Sequence, residues 1–559
     1  MSSNELRFNI ADKRIVYKGK RQPEVMEKDE VIEFNNRHRT MLGNYRIQLT
    51  DWKVTQLADR INHRSNLGSL RNRQIREAGI LAASLSACAV GLHGFGSLNR
   101  YPEEKRTKEL TNALKRANDR TAAQIMSEVL QTTTEKMPVG EEVVIYSALT
   151  EGVRVKPGKE AGGNPTIAVG ALFGKKEHRA QYGISLDPSV TMMSMGNDVI
   201  DGTGKSVKGH HSSFTALFIT ESGVKRHLPD IYVQRWMGAR HFKEFNPREL
   251  SLTEMAKVIA DSYGLSDIKE LSTYFLDRPR HNVAMDALNV AGVSTPFDKD
   301  GDLFPCIIMG MDDLVFPDGK PLHSMIGEIG GSAEWAVGVL PLVWRGGQAI
   351  GMLTSQSTLT RKDLTPEEMW KERFHYTEEE YMLIQDARFE QKPYFTIGDI
   401  IEDPFAGGIS AFGAISDSYF YPPMKGVSAD SKNDTVNVHT MTVNSLGIME
   451  HWDMTFKCLD GIDNSIELMS SPKDELENLT GKELEQRIGK MLDDERMRER
   501  FRIFYNCEYY PALIPVRDKM VLLHKAIMTL MERGALNKTD QVIAETVPEL
   551  VPEWFLNSQ

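Results

Sequence analysis

One hexapeptide in the chain reads Asp198-Val199-Ile200-Asp201-Gly202-Thr203. Two carboxylates separated by two residues at the end of a strand can both reach one small cation, while the following turn and hydroxyl face a ligand. Acidic turns with glycine are also common on protein surfaces, so this stretch alone indicates a site only weakly. Its interpretation depends on what lies around it in the sequence.

Two other interpretations of the glycine-rich and acidic motifs fail on spacing. Residues 202–206 end like a P-loop, but Val199 stands where that loop needs its first glycine. Residues 298–302 begin like a calcium loop, yet the glycine is misplaced and Met309 stands where the closing glutamate belongs. The sequence therefore predicts neither nucleotide triphosphate hydrolysis nor an EF-hand.

Composition is typical of a soluble globular protein, with 41 % hydrophobic and 26 % charged residues among 559. A net charge of −11 argues against a broad nucleic-acid interface. The four cysteines form no C-x-x-C pair, which predicts neither disulfides nor a zinc knuckle. The longest apolar stretch, about residues 78–92, is short for a membrane span and is predicted to be a buried helix. We expect a cytoplasmic protein without nucleic-acid or membrane partners.

The hydrophobic pattern divides the chain into four parts. Residues 1–65 are predicted to be an N-terminal extension that drapes over a neighbour or a second subunit, and residues 66–250 a larger α/β half with the metal site. Residues 251–460 are predicted to form a smaller α/β half with phosphate-binding elements, and residues 461–559 a helical C-terminal extension. Two helices are predicted at 67–90 and 104–134. Short strands are predicted at 142–146, 166–173, 180–186 and 213–220. The smaller half reads helix, strand, helix, strand at 252–263, 271–276, 280–291 and 303–311.

The hexapeptide and its continuation to residue 219 resemble, without a gap, the strand-turn segment of class II fructose-1,6-bisphosphatases, whose motif reads Asp-Pro-Ile-Glu-Gly-Thr. Val199 replaces the proline and Asp201 replaces the glutamate. The stretch Ile184-Ser185-Leu186-Asp187-Pro188 resembles the first half of the same motif. The first metal ligand is therefore either Asp187 or Asp198.

Further motifs follow in the family's order. Residues 115–119 resemble its Lys-x-x-x-Asp element, and residues 228–232 its substrate-contacting tyrosine segment. Residues 278–282 resemble its Lys-Pro-Arg-His-Asp element, and residues 300–302 its Asp-Gly-Asp loop. Residues 329–334 resemble its Gly-Gly-x-x-Glu loop, and residues 396–456 its closing β-region. Each residue also has an ordinary structural interpretation. Lys115 and Asp119, for example, have the spacing of a surface ion pair on a helix. The shared order is more specific than any single motif.

The resemblance implies an α/β fold, an α-β-α-β-α layered sandwich, and Mg²⁺- or Mn²⁺-dependent hydrolysis of a phosphate ester on a sugar (bis)phosphate, in a homo-oligomer. The implied catalytic residues are Thr203, Lys115 and Asp119. The implied metal ligands are Asp198 or Asp187, Asp201, Glu334 and Glu151. The implied substrate-binding residues are Tyr232, Arg278, Arg280, Asp300 and Asp302.

One departure leaves the activity open. The family has a Gly-Glu-Gly-Glu segment after its first core strand, whereas residues 145–152 here carry a single displaced carboxylate, Glu151. Two alternatives follow: a non-catalytic relative that binds a phosphorylated metabolite or serves as a structural subunit, and a phosphosugar enzyme of a specialised pathway. In the latter, Trp335 either reshapes the substrate pocket or is a core aromatic.

Overall fold

The computed structural model describes residues 6–12, 15–58, 70–151, 165–167, 171–175, 190–224, 228, 232–354 and 394–469. The predicted strand at 180–186, the alternative ligand Asp187 and nearly all of the predicted helical C-terminal extension lie outside the described residues.

The strands β1 to β18 span Arg7–Asn9, Val16–Tyr17, Glu24–Val25, Ile47–Ala58, Val143–Thr150, Leu172–Phe173, Thr191–Asp201, Phe214–Thr220, Tyr232–Gly238, Phe275–Leu276, Thr295–Asp298, Leu314–Val315, Ser324–Gly331, Gln348–Thr354, Gly408–Ala414, Ser428–Asp430, Thr435–Asn444 and Met449–Cys458. The helices α1 to α11 span Lys28–Arg37, Arg39–Asn44, Leu70–His93, Lys108–Glu135, Thr203–Lys208, Leu252–Ser262, Asn282–Val290, Leu303–Ile308, Ser332–Trp344, Ile397–Ile400 and Ile462–Met469.

The largest sheet has ten strands in the order β3-β4-β18-β17-β15-β8-β7-β5-β6, with β16 added beside β17. Its central strand β8 is buried along its whole length. Because side chains alternate along a strand, Leu217 and Ile219 enter one hydrophobic core while Phe214 and Phe218 enter another. Both faces of this sheet are therefore covered, which explains the continuous apolar run of residues 214–219.

Five layers result. The long helices α3 and α4 pack on the outer face of the large sheet. The apolar helix α9 lies on its inner face and also contacts the antiparallel sheet β13-β9-β14. Helix α6 packs against β13 on the other face of this sheet, and α7 packs beside α6 in the same hydrophobic cluster. The predicted α-β-α-β-α layered sandwich is confirmed.

The sheets do not follow the predicted division of the chain at residues 250 and 460. Strand β9 lies in the three-stranded sheet with β13 and β14. Strands β15, β17 and β18 complete the large sheet. The chain therefore crosses between the two sheets more than once.

Residues 6–58, here called the N-terminal segment, fold onto their own chain. Strand β1 pairs in parallel with β11, and the twelve-residue strand β4 pairs with β18. Strand β2 pairs with β12, so the segment contributes strands to three sheets of its own chain.

One predicted strand is wrong. The apolar run predicted as a strand at 303–311 begins with helix α8, Leu303–Ile308, and the strand lies earlier at Thr295–Asp298. Pro305 lies in the first turn of α8, where a missing N–H leaves no hydrogen bond unmade. Apolar runs this short do not distinguish a buried helix from a buried strand.

The apolar stretch predicted as a buried helix lies within α3. The helical stretch Arg73–Arg100 has the length and hydropathy of a membrane span, and 78 % of its most apolar window is buried inside the molecule. Such burial is what a core helix shows, and the prediction of a buried helix is confirmed.

The N-terminal segment is expected to contribute to global stability. Phe8 is 5 % exposed and packs edge-on against Phe316, with ring centroids 5.7 Å apart. We expect Phe8→Ala to lower the free energy of unfolding by about 3 kcal/mol, since a buried aromatic ring is lost. Urea denaturation measures this change. Val25→Ala, at a position 59 % exposed in the same segment, is the control and should shift it by less than about 0.5 kcal/mol. Equal, small effects of both substitutions would contradict this role.

Candidate functional site

An irregularity in strand β7 brings two aspartates to one side of the large sheet. Opposite β8, Asp198 pairs with Ala216 and Asp201 pairs with Phe214, so β7 holds one residue more than its partner. Residues three apart on a regular strand point to opposite faces, and the extra residue removes that alternation. Gly202, with a φ of 83°, then turns the chain into the short helix α5.

Thr203 begins that helix and contacts an aspartate of α4. Its Oγ1 lies 3.1 Å from Asp119 Oδ1 and 3.1 Å from the carbonyl oxygen of Ile200, and the hydroxyl can donate to either. Asp119 is 3 % exposed, and its Oδ2 has no hydrogen-bond partner among the described residues. A buried carboxylate oxygen without a donor indicates a missing cation or ligand.

Asp201 joins β7 to the loop that follows β11. Its two carboxylate oxygens accept hydrogen bonds from the backbone N–H groups of Asp302 and Leu303, each at 3.2 Å. Those amides lie at the start of helix α8, where backbone donors lack partners within the helix. The Asp-Gly-Asp loop is therefore attached directly to the hexapeptide.

The acidic side chains raise one another's pKa. Burial, followed by the charges of Glu151, Asp201, Glu334 and Asp119, raises the pKa of Asp198 well above its usual range. Burial and the charge of Asp302 raise the pKa of Asp201 to about 7.

The same causes act on the surrounding carboxyls. Burial and the charge of Glu151 raise the pKa of Asp119. Burial and the charges of Asp302 and Glu151 raise the pKa of Glu334. The predicted metal ligands inside the described residues therefore lie within electrostatic reach of each other, although they come from separate elements.

The donor set fits a divalent cation by its chemistry. Carboxylate oxygens are the preferred ligands of Mg²⁺, and positive charge between these side chains would relieve their repulsion. Within the described ranges, no three Asp, Glu, His or Cys side chains are grouped closely enough to hold a metal ion as they stand. The residues that would hold one after side-chain adjustment are Asp198, Asp201, Glu334 and Glu151.

Lys115 lies near the start of helix α5. A β-carbon added at Gly204 would lie 3.4 Å from Lys115 Nζ and 2.9 Å from Asp300 Oδ2. Because Gly204 has no side chain, its backbone next to Thr203 is left uncovered between the Lys115 ammonium and the Asp300 carboxylate.

The basic residues predicted to bind substrate lie together at the ends of β10 and β13. Both Nε and Nη2 of Arg280 donate to the carbonyl oxygen of Ile329, at 3.0 and 2.8 Å. Its guanidinium lies over the ring of Tyr232, 4.9 Å from the centroid. Arg278 is half-buried and pairs with Asp300 at 3.4 Å. The structure thus groups the predicted substrate residues on the side of the site facing the Asp-Gly-Asp loop.

Sequence analysis missed two buried ion pairs next to this site. Lys205 Nζ lies 2.6 Å from Asp298 Oδ2, joining helix α5 to the end of β11. Arg235 contacts both Asp302 and Glu328. Lys205 was considered only within a failed P-loop motif, and Arg235 sits in an apolar strand without any motif. Charged residues inside strands that are otherwise buried were the available signal.

Trp335 lies in the hydrophobic core. Trp335 is fully buried and packs edge-on against Phe395 at 4.9 Å, so it is a core aromatic. This removes the reason for assigning it to a reshaped pocket.

The raised pKa values predict how stability depends on pH in a chelator. These carboxyls have a higher pKa in the folded protein than in the unfolded chain, where it is about 4. The stability that their protons contribute is therefore lost as pH rises through the folded pKa, which is about 7 for Asp201. The free energy of unfolding should therefore fall from about pH 5 to about pH 8.

Urea denaturation at several pH values measures this slope. Added Mg²⁺ or Mn²⁺ should flatten it, and Asp198→Asn in chelator should make it shallower. A free energy of unfolding that rises with pH in chelator, for both proteins alike, would contradict the carboxylate crowding.

Comparison with known proteins shows to which family the chain is similar. Residues 108–446, more than half of the chain, match the family described as bacterial fructose-1,6-bisphosphatase, glpX-encoded. A D-fructose 1,6-bisphosphatase class 2/sedoheptulose 1,7-bisphosphatase of Synechococcus sp. (strain JA-2-3B'a(2-13)) is 24 % identical over 238 residues, covering 43 % of this chain and 63 % of the relative. A protein of the same name from Synechocystis sp. (strain ATCC 27184 / PCC 6803 / Kazusa) is 26 % identical over 170 residues, covering 30 % of this chain and 47 % of the relative.

The matched part of the chain thus spans less than two thirds of the length of these curated relatives. The family match extends from helix α4, which carries Lys115 and Asp119, past strand β17. It includes the carboxylate cluster and the Asp-Gly-Asp loop. The chain is a divergent member of the glpX-type, class II fructose-1,6-bisphosphatase family.

Proposed function

We propose that this protein hydrolyses a phosphate ester of a sugar bisphosphate with the help of Mg²⁺ or Mn²⁺. The observation that carries the proposal is the hydrogen bond between the Thr203 hydroxyl and buried Asp119, beside the cluster of carboxylates with raised pKa values. The names of the related proteins point to fructose 1,6-bisphosphate and sedoheptulose 1,7-bisphosphate as the first substrates to test.

Thr203 and Asp119 would together orient the attacking water and remove its proton. When the Thr203 hydroxyl donates to Asp119, its oxygen lone pairs are free to accept a hydrogen bond from water. Burial raises the pKa of Asp119, so the deprotonated carboxylate is a stronger base than that of an exposed aspartate. Lys115, near Gly204, supplies positive charge to the phosphoryl oxygens.

The carboxylates Asp198, Asp201, Glu334 and Glu151 would hold the divalent cation. A bound cation neutralises charge on the phosphoryl group and its leaving oxygen. Glu151 lies just after β5, and its charge raises the pKa of both Asp119 and Asp198. Glu151 is therefore placed to join the acidic ligands, although its segment differs from the family's Gly-Glu-Gly-Glu.

The basic side would hold the distal phosphate. The side chain of Arg278 is 35 % exposed, and planar guanidinium groups bind phosphate through two parallel hydrogen bonds. Arg280 is fixed by Ile329 and Tyr232. Asp300 and Asp302 would then contact sugar hydroxyls, since carboxylates accept such hydrogen bonds.

A second candidate function is metabolite binding without turnover. It is favoured by the finding that, in the described part of the chain, no three ligand side chains are grouped to hold a metal ion directly. Calorimetric titration with a sugar bisphosphate distinguishes the two. Binding that does not depend on Mg²⁺, together with no phosphate release, would favour the binder.

We further propose a cytoplasmic homo-oligomer that has a small-molecule partner and does not bind nucleic acid or membranes. Among the described residues, three free and buried cysteines support a reducing compartment, namely Cys88, Cys306 and Cys458. Cell fractionation and light scattering test these two properties.

Removal of the central carboxylate or hydroxyl should abolish most of the activity. We expect Asp201→Asn and Thr203→Ala each to lower kcat by about 100-fold or more, since charge stabilisation and proton transfer contribute on that scale. Phosphate release from fructose 1,6-bisphosphate with Mn²⁺ measures this. Asp460→Asn, at an exposed residue paired with Arg46, is the control and should match the wild type. Equal rates for all four proteins would refute the proposed function.

Loss of the exposed guanidinium should weaken substrate binding. Arg278→Ala should raise KM by about tenfold or more and change kcat by less than about threefold, because the contact is present in both the bound substrate and the transition state. Steady-state kinetics with the bisphosphate measures both constants. An unchanged KM would remove Arg278 from the substrate site.

A further inference from the structure

Arg235 is a fully buried cation at the centre of the smaller antiparallel sheet. It lies on β9, the middle strand between β13 and β14, and its exposure is 0 %. Its neighbours on the strand include Val233 and Trp236, which are also fully buried. Burying the charge of an arginine here costs a large desolvation free energy, which contacts with groups of opposite charge must offset.

A bulge places a carboxylate opposite Arg235. The pairing of β13 with β9 shifts between Ile326 and Glu328, at Gly327, whose φ is 79°. Glu328 is thereby the direct cross-strand partner of Arg235. Its Oε2 lies 2.6 Å from Arg235 Nε. Such a bulge re-aims a side chain, here to pair two charges inside the molecule.

The other end of the guanidinium contacts the predicted substrate loop. Arg235 Nη2 donates to Asp302 Oδ2. This contact passes over the α-carbon of Gly330, where an added β-carbon would overlap Nη2 and lie 2.5 Å from Asp302 Oδ2. The β13 strand therefore leaves room for the guanidinium only because it has a glycine there.

Asp302 connects this ion pair to the carboxylate cluster. Its backbone N–H donates to Asp201 at 3.2 Å, while its side chain is held by Arg235. On the other side, Ile329 follows Glu328 and accepts both hydrogen bonds of Arg280. Arg235 thus lies between the acidic and the basic parts of the proposed site.

Stability alone does not account for this arrangement. Replacing a buried ion pair with well-packed apolar side chains is often neutral or stabilising, whereas a buried pair can fix one conformation among several. The planar guanidinium reaches two carboxylates at once with a fixed geometry, which a lysine cannot do.

We propose that Arg235, held by Glu328, is a positioning residue that sets the orientation of Asp302 for sugar binding. This inference rests on the proposed function for its kinetic consequence, while its structural consequence can be measured without any activity. Arg235 acts through Asp302 and does not itself contact substrate.

The test uses the full chain and the variant Arg235→Lys. We expect KM for fructose 1,6-bisphosphate to rise by about tenfold or more with kcat changed by less than about threefold. In the Asp302→Asn background the same substitution should leave KM unchanged, since its effect passes through Asp302. An equal rise in KM in both backgrounds would overturn the proposal.

Amide hydrogen exchange of the peptide covering residues 298–304 gives a readout independent of turnover. Arg235→Lys should speed its exchange by about tenfold or more. Glu77→Gln is the matched control, because Glu77 is a buried carboxylate paired with Arg37 at 2.7 Å, in the core on the outer face of the large sheet. This control should change neither KM nor exchange in 298–304.

Two results separate the proposals. Faster exchange in the variant with no phosphate release by the wild type would support the positioning role and refute the proposed function. Unchanged exchange in a folded variant would refute the positioning role. If Arg235→Lys does not fold, Glu328→Gln carries the same test, with faster exchange supporting the proposal and unchanged exchange refuting it.

Discussion

Repulsion between buried carboxylates is the interaction on which the site depends. Asp198 and Asp201 share one side of β7 because the strand carries an extra residue. Asp119, Glu151 and Glu334 approach them from other elements. Gathering like charges away from water is unfavourable, so this arrangement is stable only if protons or a cation bind there. The cluster therefore points to a ligand more strongly than any of its members does alone.

The layered fold delivers these side chains to one place. Strands β5 and β7 are parallel, so Glu151 and Asp201 both lie at carboxyl ends of neighbouring strands. Ligands of α/β proteins bind outside such ends. The loop after β11 reaches the same place because its backbone amides bind Asp201. Arg278 pairs with Asp300 of this loop, and Arg280 lies against Ile329 of the smaller sheet.

Sequence reasoning predicted what local pattern and motif order determine. The helices α3 and α4, the layered sandwich and the closeness of Thr203 to Asp119 followed from periodicity or from the ordered motifs. The strand predicted at 303–311 was wrong because Pro305 suits a first helical turn as well as a break. Arg235 and Glu328 were missed because their meeting depends on a bulge at Gly327. The return of the N-terminal segment to its own sheets involves pairings nearly 300 residues apart, which no local pattern encodes.

Calorimetric titration of the protein with Mn²⁺ tests the central claim most directly. Because burial and mutual repulsion raise the pKa values of the carboxyls of Asp198 and Asp201, metal binding should displace protons from the cluster, so the apparent heat should change with the ionisation enthalpy of the buffer. Asp198→Asn should weaken the binding and reduce the proton release. An absence of Mn²⁺ binding, or the same affinity and proton release in wild type and variant, would contradict the account.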